Sequence, residues 1–428
     1  MRKAKFQKPC GMHDILPENQ SFFQKIYSTA ANIANFYGFQ KIDTPILEQA
    51  ELFSKGVGLT TDIIEKQMYV LRTRGGDYLS LRPEFTAAVV RAYIEHGMFN
   101  LPQPVKLYAY GPLFRMERPQ AGRFRQFHQF DLEAFGEESA VIDAQIIQIF
   151  HNILKELKFK NLLVEINSIG DRQCRPYYKK TLVSYLRSRA GSLCADCRRR
   201  LKENPLRVLD CKEEKCQPIK AQAPQMVDHL CEECKSHFKE VLEFLDELDL
   251  PYHLNPHLVR GLDYYTKTVF EIVEDTENGR RLGSLVGGGR FDVLVRLLGG
   301  KNVPACGGAL GVERVIEEIK ERTKKEKSHI FPASRIFMAQ LGGLAKRKSL
   351  KLIEDFREAK IPIAESLGKD SIKAQLRIAD RLGVSYTLIL GQKEALDGII
   401  IIRDMASGKQ DIVKLNKAVR EIKKRLKK

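Results

Sequence analysis

The chain has 428 residues, of which 43% are hydrophobic and 29% are charged. This length and composition predict two or three folded domains with at least one large core. The formal net charge of +17 indicates a polyanionic partner, because a basic surface attracts phosphates. The sequence contains neither an apolar leader nor a run of roughly 18 apolar residues. We therefore expect a cytoplasmic protein without membrane spans.

Basic residues and cysteines are unevenly distributed along the chain. Residues 335–428 hold 22 Lys and Arg against 11 Asp and Glu, so much of the positive charge lies at the C-terminal end. Six of the nine cysteines fall between Cys194 and Cys234. In a large chain without a secretion signal, this pattern favours free thiols or metal ligands over a disulfide framework.

The N-terminal part of the sequence predicts one helix followed by antiparallel strands. An amphipathic helix is expected over residues 21–39, where Gly38 is suited to end it. Residues 39–49 form a strand pattern that Pro45 breaks, and residues 67–82 form a hairpin pattern around a Gly-Gly turn. The apolar residues at helical spacing in the first segment are Phe22, Ile26, Ile33 and Phe36.

The middle of the chain predicts a long helix, a strand and a helical stretch that carries the cysteines. Strand signals then resume at VFEIV and SLVGGG. The corresponding ranges are 139–157, Leu162–Ile166, the stretch up to about residue 247, 269–273 and 284–289.

A charged segment over residues 322–334 contains Pro332 and lacks apolar periodicity, which is typical of an exposed interdomain linker. Strands and helices alternate beyond it, as in a small α/β domain. The predicted elements there are RIFMAQL (335–341), a helix to Ala359, a helix over 370–382, YTLIL (386–390) and GIIIIR (398–403).

The segment from Gly111 to Gly136 concentrates arginine and carboxylate side chains. Arg115 and Glu117 are two residues apart on an expected strand, so they can point to the same side. A guanidinium group can hold a phosphate while a carboxylate accepts from an amino group. Gln129, Asp131 and Glu133 share one side in the same way. Taken alone, the segment is better explained as an exposed charged hairpin, which is the usual structure of a sequence rich in Arg and Glu.

Four motifs in this order resemble those of class II aminoacyl-tRNA synthetases, in the form found in histidyl-tRNA synthetases. FRxE followed by a variable loop and GRFRQFHQ resembles motif 2 of that family. SLRPEFT (80–86) resembles its amino-acid-binding strand, LVRGLDYYTKTVFE (258–271) its histidine signature, and GGALGVER (307–314) its motif 3. The resemblance begins at GMHDILP (11–17) and extends over nearly the whole chain.

The resemblance implies an α+β fold with three parts. A catalytic domain built on an antiparallel sheet is expected over residues 1–325, with a helical insertion at about 172–248 that is rich in cysteine at 194–234. A linker is expected at 326–334. An α/β anticodon-binding domain is expected over 335–428. The long helix at 21–38 and the strand at Pro45 resemble motif 1, which implies a homodimer.

The implied activity is that of a histidine–tRNA ligase, which uses ATP with Mg²⁺ to form histidyl-adenylate and transfers histidine to the 3′ end of tRNA(His). Arg115 and Arg260 would be the catalytic residues on either side of the α-phosphate. Glu117 would position adenine, Arg314 would hold the nucleotide from the motif 3 helix, and the implied ATP site includes Arg123. Gln120, in the motif 2 loop, would contact the acceptor end of tRNA.

The resemblance also implies a histidine pocket with acceptors for the amino group and partners for both imidazole nitrogens. The amine partners would be Glu84, Thr86 and Gln129. Glu133 and Tyr265 would hold the ring, with Tyr264 beside them. Phe85 stands where the family commonly has glycine, so we expect a different local backbone path there. The full implied set is Glu84, Phe85, Thr86, Arg115, Gln129, Glu133, Arg260, Tyr264 and Tyr265.

The paired cysteines are compatible with a structural Zn²⁺ closed by four thiolates. Six cysteines are candidates, which is more than one ion needs: Cys194, Cys197, Cys211, Cys216, Cys231 and Cys234. The predicted ligands are the two CxxC pairs, Cys194 with Cys197 and Cys231 with Cys234. The alternative is a set of reduced thiols packed in a small helical module.

Two other functions compete with catalysis. A catalytically silent synthetase paralogue that regulates histidine biosynthesis would resemble the catalytic core, but such paralogues lack the C-terminal tRNA-binding domain. A basic RNA-binding protein without turnover would have no use for a complete set of ATP-binding arginines. The arginine at position 260 and the basic C-terminal segment favour the enzyme.

Overall fold

The computed structural model describes residues 5–58, 61, 63–119, 122–275, 283–323 and 336–426. The chain divides into two compact units, Met1–Lys324 and Lys325–Lys428. The linker expected at 326–334 lies outside the described residues. No helix in the described ranges combines the length and apolar character needed to cross a membrane.

The first unit contains eleven strands and ten α-helices among its described residues. The strands are β1 (Gln40–Lys41), β2 (Leu47–Gln49), β3 (Tyr69–Arg72), β4 (Tyr78–Leu81), β5 (Val105–Phe114), β6 (Gln126–Phe135), β7 (Leu162–Ser168), β8 (Tyr252–Leu254), β9 (Thr266–Glu274), β10 (Val286–Arg290) and β11 (Ala305–Gly311). The helices are α1 (Pro17–Phe36), α2 (Ala50–Val57), α3 (Thr86–Glu95), α4 (Ala140–Glu156), α5 (Arg175–Arg187), α6 (Ala195–Glu203), α7 (Gln217–Ala221), α8 (Glu232–Glu247), α9 (Leu294–Leu297) and α10 (Val312–Thr323).

Eight strands form the main sheet, in the order β1-β5-β6-β11-β10-β9-β7-β8. The six central strands are antiparallel to their neighbours, and only the outermost pairs, β1 with β5 and β7 with β8, run parallel. A separate three-stranded sheet has the order β2-β4-β3. The expected antiparallel catalytic sheet is therefore confirmed.

The two faces of the main sheet have different environments. Along β6, Phe130, Leu132 and Ala134 pack into one core cluster with α1, α4 and α8. Because side chains alternate along a strand, Gln129, Asp131 and Glu133 point to the other face, where α3 and α9 pack. That second face therefore carries polar side chains surrounded by an apolar core.

The first predicted helix differs from the prediction at both ends. It begins at Pro17, because proline is favoured in the first turn of a helix, and it ends at Phe36. Ile26 and Ile33 are buried as expected, but the side chain of Phe36 is 84% exposed. The hairpin at β3 and β4, the break at Pro45 and the long helix α4 agree with the prediction.

Helices α5 to α8 lie between β7 and β8 and have their own small core. Tyr178, Leu182 and Val208 are fully buried there. Helices α5 to α7 pack mainly on one another, and α8 joins them to the main sheet by packing on α4, so the Cys-bearing segment forms a helical insertion beside the sheet.

The second unit is a five-stranded mixed sheet with helices. Its elements are β12 (Ile336–Gln340), α11 (Gly343–Glu358), β13 (Ile363–Glu365), α12 (Ile372–Arg381), β14 (Tyr386–Leu390), α13 (Gln392–Asp397), β15 (Ile399–Asp404), β16 (Gln410–Lys414) and α14 (Ala418–Leu426). The strand order is β13-β12-β14-β15-β16. The α/β prediction is confirmed, although β13, β16, α13 and α14 were not predicted.

Candidate active site

Buried carboxylates converge on the polar face of the main sheet. The Glu133 Oε1 atom on β6 accepts a hydrogen bond of 2.6 Å from the Thr86 hydroxyl, at the first residue of α3. Glu84 accepts from the Ala87 N–H at 2.8 Å and from the Tyr264 hydroxyl at 3.4 Å. The structure therefore brings together predicted residues from β6, from the start of α3 and from the loop before β9.

Two carboxylate oxygens in this cluster are buried without a hydrogen-bond partner among the described residues, Asp131 Oδ1 and Glu133 Oε2. Burial raises the pKa of Asp131 well above its usual value, and the nearby Glu84 raises it further. The pKa of Glu133 is also raised well above its usual value, first by burial and then by the charge of Asp131. Burial also raises the pKa of Glu84. Such a site favours a ligand that supplies N–H donors and positive charge.

Tyr264 and Tyr265 form an aromatic wall beside the carboxylates. Their ring centroids are 4.7 Å apart at an interplanar angle of 45°, and Phe291 packs against the edge of Tyr264. Burial raises the pKa of Tyr265 to about 12, so its hydroxyl stays protonated and can donate at neutral pH.

Arg260 lies beside this wall. Its guanidinium forms an ion pair with Glu271 on β9 and lies 5.8 Å from the centroid of the Tyr265 ring. Burial alone would lower the pKa of Arg260, but the Glu271 carboxylate and the tyrosines outweigh it and raise the pKa. The Nε atom is buried without a hydrogen-bond partner among the described residues. Arg260 thus presents a fixed cation next to Tyr265.

A glycine on β10 makes room for this cation. A Cβ atom at Gly287 would lie 2.4 Å from each terminal nitrogen of Arg260. A Cβ at Gly307 on β11 would similarly lie 1.9 Å from Glu133 Oε2. These two positions therefore require glycine because functional side chains lie against the backbone there.

Arg115 follows directly after β5 and is half-buried. Its Nε donates to the Pro83 carbonyl at 2.9 Å, and its guanidinium lies 5.1 Å from the centroid of the Phe127 ring. Burial lowers the pKa of Arg115, and the neighbouring carboxylates of Glu117 and Glu84 partly offset this. The guanidinium is therefore held against the loop that carries Glu84.

The remaining predicted nucleotide residues lie around the turn after β5. Glu117 pairs with Arg123 at 3.5 Å. Arg314 on α10 donates to the Ser284 carbonyl at 2.6 Å and approaches the Gly122 carbonyl at 3.5 Å. Burial and the charge of Arg123 lower the pKa of Arg314. Several cations thus share one region, which is a suitable environment for a polyphosphate.

The predictions for Phe85 and Gln120 stand apart from the others, because Phe85 packs on an arginine and Gln120 is not among the described residues. Phe85 has a right-handed helical backbone that any residue adopts, and its ring packs 4.4 Å from the Arg82 guanidinium. Gln120 lies outside the described residues.

The zinc prediction is corrected, because the structure does not bring its four cysteines together. Two separate groups of side chains each place four possible ligand atoms within 4.8 Å of one another. The first group is Cys194, Cys197, Cys211 and Cys216, and the second is Asp171, Cys174, Cys231 and Cys234.

Several supporting residues were not identified from the sequence. Arg82 is buried and donates to the carbonyl groups of Thr44 at 2.6 Å and Pro112 at 3.1 Å. Glu313 accepts two hydrogen bonds from the backbone N–H of His128, at 2.8 and 2.9 Å. Glu271 pairs with Arg260, and its position at the end of the LVRGLDYYTKTVFE motif was the available signal.

Comparisons with known proteins match this geometry over almost the full chain. A family model described as Histidyl-tRNA synthetase matches residues 11–315, and one described as Anticodon binding domain matches residues 337–425. The histidine–tRNA ligase of Dehalococcoides mccartyi is 46% identical over 98% of this chain and 100% of that protein. The histidine–tRNA ligase of Thermodesulfovibrio yellowstonii is 43% identical over 97% of each chain. The crystal structure of apo S. aureus histidyl-tRNA synthetase has a TM-score of 0.79 and 34% identity, covering 97% of this chain and 99% of that one.

Proposed function

Because the chain belongs to the histidyl-tRNA synthetase family, we propose that it activates L-histidine with ATP and transfers it to the 3′ end of tRNA(His). The observation that carries this proposal is that two tyrosines connect the buried carboxylates to Arg260: the Tyr264 hydroxyl donates to Glu84, and the Arg260 guanidinium lies 5.8 Å from the centroid of the adjacent Tyr265 ring. A pocket that prefers a cationic ligand with N–H donors thus adjoins a fixed guanidinium that can hold a phosphate.

Histidine would be recognised by its protonated amino group and by the two nitrogens of its imidazole ring. Its protonated amine would bind to Glu84, Thr86 and Gln129. The unpartnered Glu133 Oε2 atom would accept from an imidazole N–H, and the Tyr265 hydroxyl would donate to the other ring nitrogen. These contacts would supply the hydrogen bonds that the buried carboxylate lacks.

The chemistry consists of two substitutions. A carboxylate oxygen of histidine attacks the α-phosphorus of ATP, an O–P bond forms, and the bond from that phosphorus to pyrophosphate breaks. The hydroxyl of the terminal adenosine of tRNA(His) then attacks the histidyl carbonyl carbon and loses its proton to solvent, a C–O bond forms, and the bond from that carbon to the phosphate oxygen breaks so that AMP leaves. Arg115 and Arg260 would stabilise the negative charge that develops at phosphorus, and neither has to exchange a proton.

ATP would enter with Mg²⁺ on the cationic side of the site. Glu117 would accept from the adenine amino group, and Arg123 and Arg314 would neutralise the phosphates beyond the reacting one. In the second unit, the anticodon-binding domain proposed over residues 335–428 would bind tRNA through its basic surface. Gln120 remains a proposed contact to the acceptor end of tRNA.

We assign a structural zinc ion in the insertion to Cys194, Cys197, Cys211 and Cys216, which we call the four-thiolate group. All four cysteines are buried, and the Sγ atoms of Cys194 and Cys211 are 3.9 Å apart. A tetrahedral zinc with Zn–S bonds of about 2.3 Å separates its sulfur atoms by about 3.8 Å. The Cys194 thiol also accepts from the Cys197 N–H at 3.3 Å. The donor set therefore suits zinc without rearrangement.

The catalytic assignment is preferred to the two alternatives. A silent regulatory paralogue would not need two guanidinium groups held next to a histidine pocket, and the curated relatives above are named as ligases. A passive RNA-binding protein would not need the buried carboxylates at all.

The test is ATP–pyrophosphate exchange measured with each of the twenty amino acids in turn. The proposal predicts exchange that depends on histidine. Exchange that is absent with histidine, or that is supported equally by another amino acid, would contradict it.

A further inference from the structure

We propose that the chain binds a second Zn²⁺ ion at the junction between the insertion and the main sheet. Its ligands are Asp171, Cys174, Cys231 and Cys234. The ion would fix the first turns of α5 and α8 to the loop that follows β7.

The ligand atoms have the spacing that a tetrahedral ion requires. The Sγ atoms of Cys174 and Cys234 are 3.8 Å apart, and Asp171 Oδ1 lies 3.3 Å from Cys174 Sγ and 4.0 Å from Cys231 Sγ. Zinc bonds of about 2.3 Å to sulfur and about 2.1 Å to oxygen give separations of about 3.8 and 3.6 Å. The sulfur atoms are too far apart for a disulfide and are free.

The local backbone repeats that of the four-thiolate group. Cys194 and Cys231 each precede a helix, with φ, ψ angles of −67°, 164° and −68°, 161°. In both groups the second cysteine of the pair, Cys197 or Cys234, lies in the first helical turn and is fully buried. A helix N-terminus stabilises thiolates because its free N–H groups carry partial positive charge. The same ligand-presenting turn therefore occurs twice.

Helix capping alone does not account for this cluster. Asp171 Oδ1 does accept from the N–H groups of Gln173 at 2.8 Å and Cys174 at 3.3 Å, as a capping residue would. Capping does not explain, however, why Cys231 and Cys234, which lie 60 residues further along the chain, are next to Asp171 and Cys174. Three thiols and one carboxylate form a donor set that suits zinc.

The cluster is connected to the histidine pocket through one arginine. Arg175, next to Cys174, donates to the carbonyl groups of Ile169 and Gly170, both at 3.2 Å, and to that of Tyr265 at 2.6 Å. The second zinc would therefore hold the helix that positions the backbone of Tyr265. This connection, unlike the metal site itself, rests on the proposed function.

The test is the zinc content of the purified full chain, measured by native mass spectrometry. The proposal predicts two zinc ions per chain in the wild type. It predicts one ion in Cys231→Ser and in Asp171→Asn, where asparagine keeps the helix cap but loses the charged ligand. Cys216→Ser should also retain one ion, from the other group, and Cys10→Ser should retain two.

X-ray absorption at the zinc edge distinguishes the two sites in folded variants. The ion left in Cys216→Ser should have three sulfur neighbours and one oxygen, whereas the ion left in Cys231→Ser should have four sulfur neighbours. We also expect the KM for histidine to rise about threefold or more in Cys231→Ser, and to rise less in Cys216→Ser.

A wild type with one zinc ion that Cys231→Ser retains would overturn the second site and leave the proposed function intact. A fully reduced wild type that takes up no zinc would overturn both metal sites, while histidine-dependent exchange would still stand on its own test. Loss of that exchange in a two-zinc protein would instead overturn the function and leave the metal site in place.

Discussion

At the scale of single residues, the site is defined by groups that are costly to bury alone. Asp131 and Glu133 each keep one buried oxygen without a partner among the described residues, and the Nε atom of Arg260, next to Tyr265, is also buried without one. Buried polar groups of this kind are rarely left unpaired in proteins. Their concentration on one face of the sheet indicates that ligand atoms complete them.

The first prediction concerns Arg260. Arg260→Ala removes a cation from the position proposed for the α-phosphate, so the rate of histidyl-adenylate formation should fall roughly a hundredfold or more, or about 3 kcal/mol of transition-state stabilisation. Single-turnover adenylate formation measures this rate. Arg357→Ala is the matched control, because Arg357 is an exposed arginine paired only locally with Glu354. A loss shared by both variants, or a change below threefold in Arg260→Ala, would remove Arg260 from the mechanism.

The second prediction concerns the pH dependence of stability. The pKa of Glu133 is raised by burial and by Asp131, so the folded chain favours the protonated carboxyl. This contribution is present below the usual carboxyl pKa of about 4.3 and is lost as the pH rises through the higher folded pKa. Without histidine, the wild type should therefore lose more stability between about pH 5 and 8 than Glu133→Gln does. Denaturant unfolding at both pH values measures the difference, and equal losses would show that Glu133 is ionised at no cost.

At the scale of elements, β10 and β11 shape the site through glycines, which from the sequence are expected to allow close approach to the backbone. The GGGR and GGALG clusters do not have the spacing of a phosphate-binding loop. In the structure, Gly287 and Gly307 pair with neighbouring strands while Arg260 and Glu133 lie against them. The side chains that approach these glycines come from distant segments, so local patterns could not identify them.

The third prediction tests this packing. Gly287→Ala places a methyl group 2.4 Å from the Arg260 nitrogens, so the guanidinium must move and adenylate formation should slow at least about tenfold. Gly191→Ala is the control, since no described atom lies within 4 Å of a Cβ built there. Circular dichroism should show that both variants remain folded. Wild-type rates in Gly287→Ala would mean that Arg260 has freedom that the structure does not indicate.

Local sequence patterns predicted some elements well and others poorly. The hairpin at β3 and β4 and the long helix α4 were predictable because their turn residues and apolar periodicity are local. The grouping of the cysteines was not predictable in this way. The sequence suggested that the two CxxC pairs bind one metal ion together, whereas the fold places each pair with ligands from another segment of the chain. Likewise, Asp131 was visible only as one of several alternating polar residues, and its burial comes from the tertiary structure.

At the scale of the whole molecule, the second unit matches an anticodon-binding family and the first unit contains the catalytic motifs. The three-stranded sheet that follows α1 exposes apolar surface on both of its faces, because neighbours such as Val70 and Leu71 point to opposite sides of the strand. Such surfaces commonly mark protein interfaces. The exposed apolar side chains there are Ile46, Leu47, Val70, Leu71 and Tyr78.

The fourth prediction is that two chains associate through this apolar surface. Sedimentation equilibrium at micromolar concentration should give about twice the chain mass of 48.9 kDa. Val70→Glu should weaken the association at least about tenfold by placing a charge in the interface. Ile412→Glu, at an exposed apolar position of β16, should leave the dimer unchanged. A wild type with the mass of one chain would contradict the proposal.

Whether this chain attaches histidine to tRNA(His) is decided by an aminoacylation assay with tRNA(His) and the purified full chain. With ATP, Mg²⁺ and labelled histidine, we expect label in acid-precipitable tRNA, with charging that saturates with respect to histidine and requires ATP. No charging under conditions where a known histidine–tRNA ligase charges the same tRNA, or equal charging with a different amino acid, would contradict it.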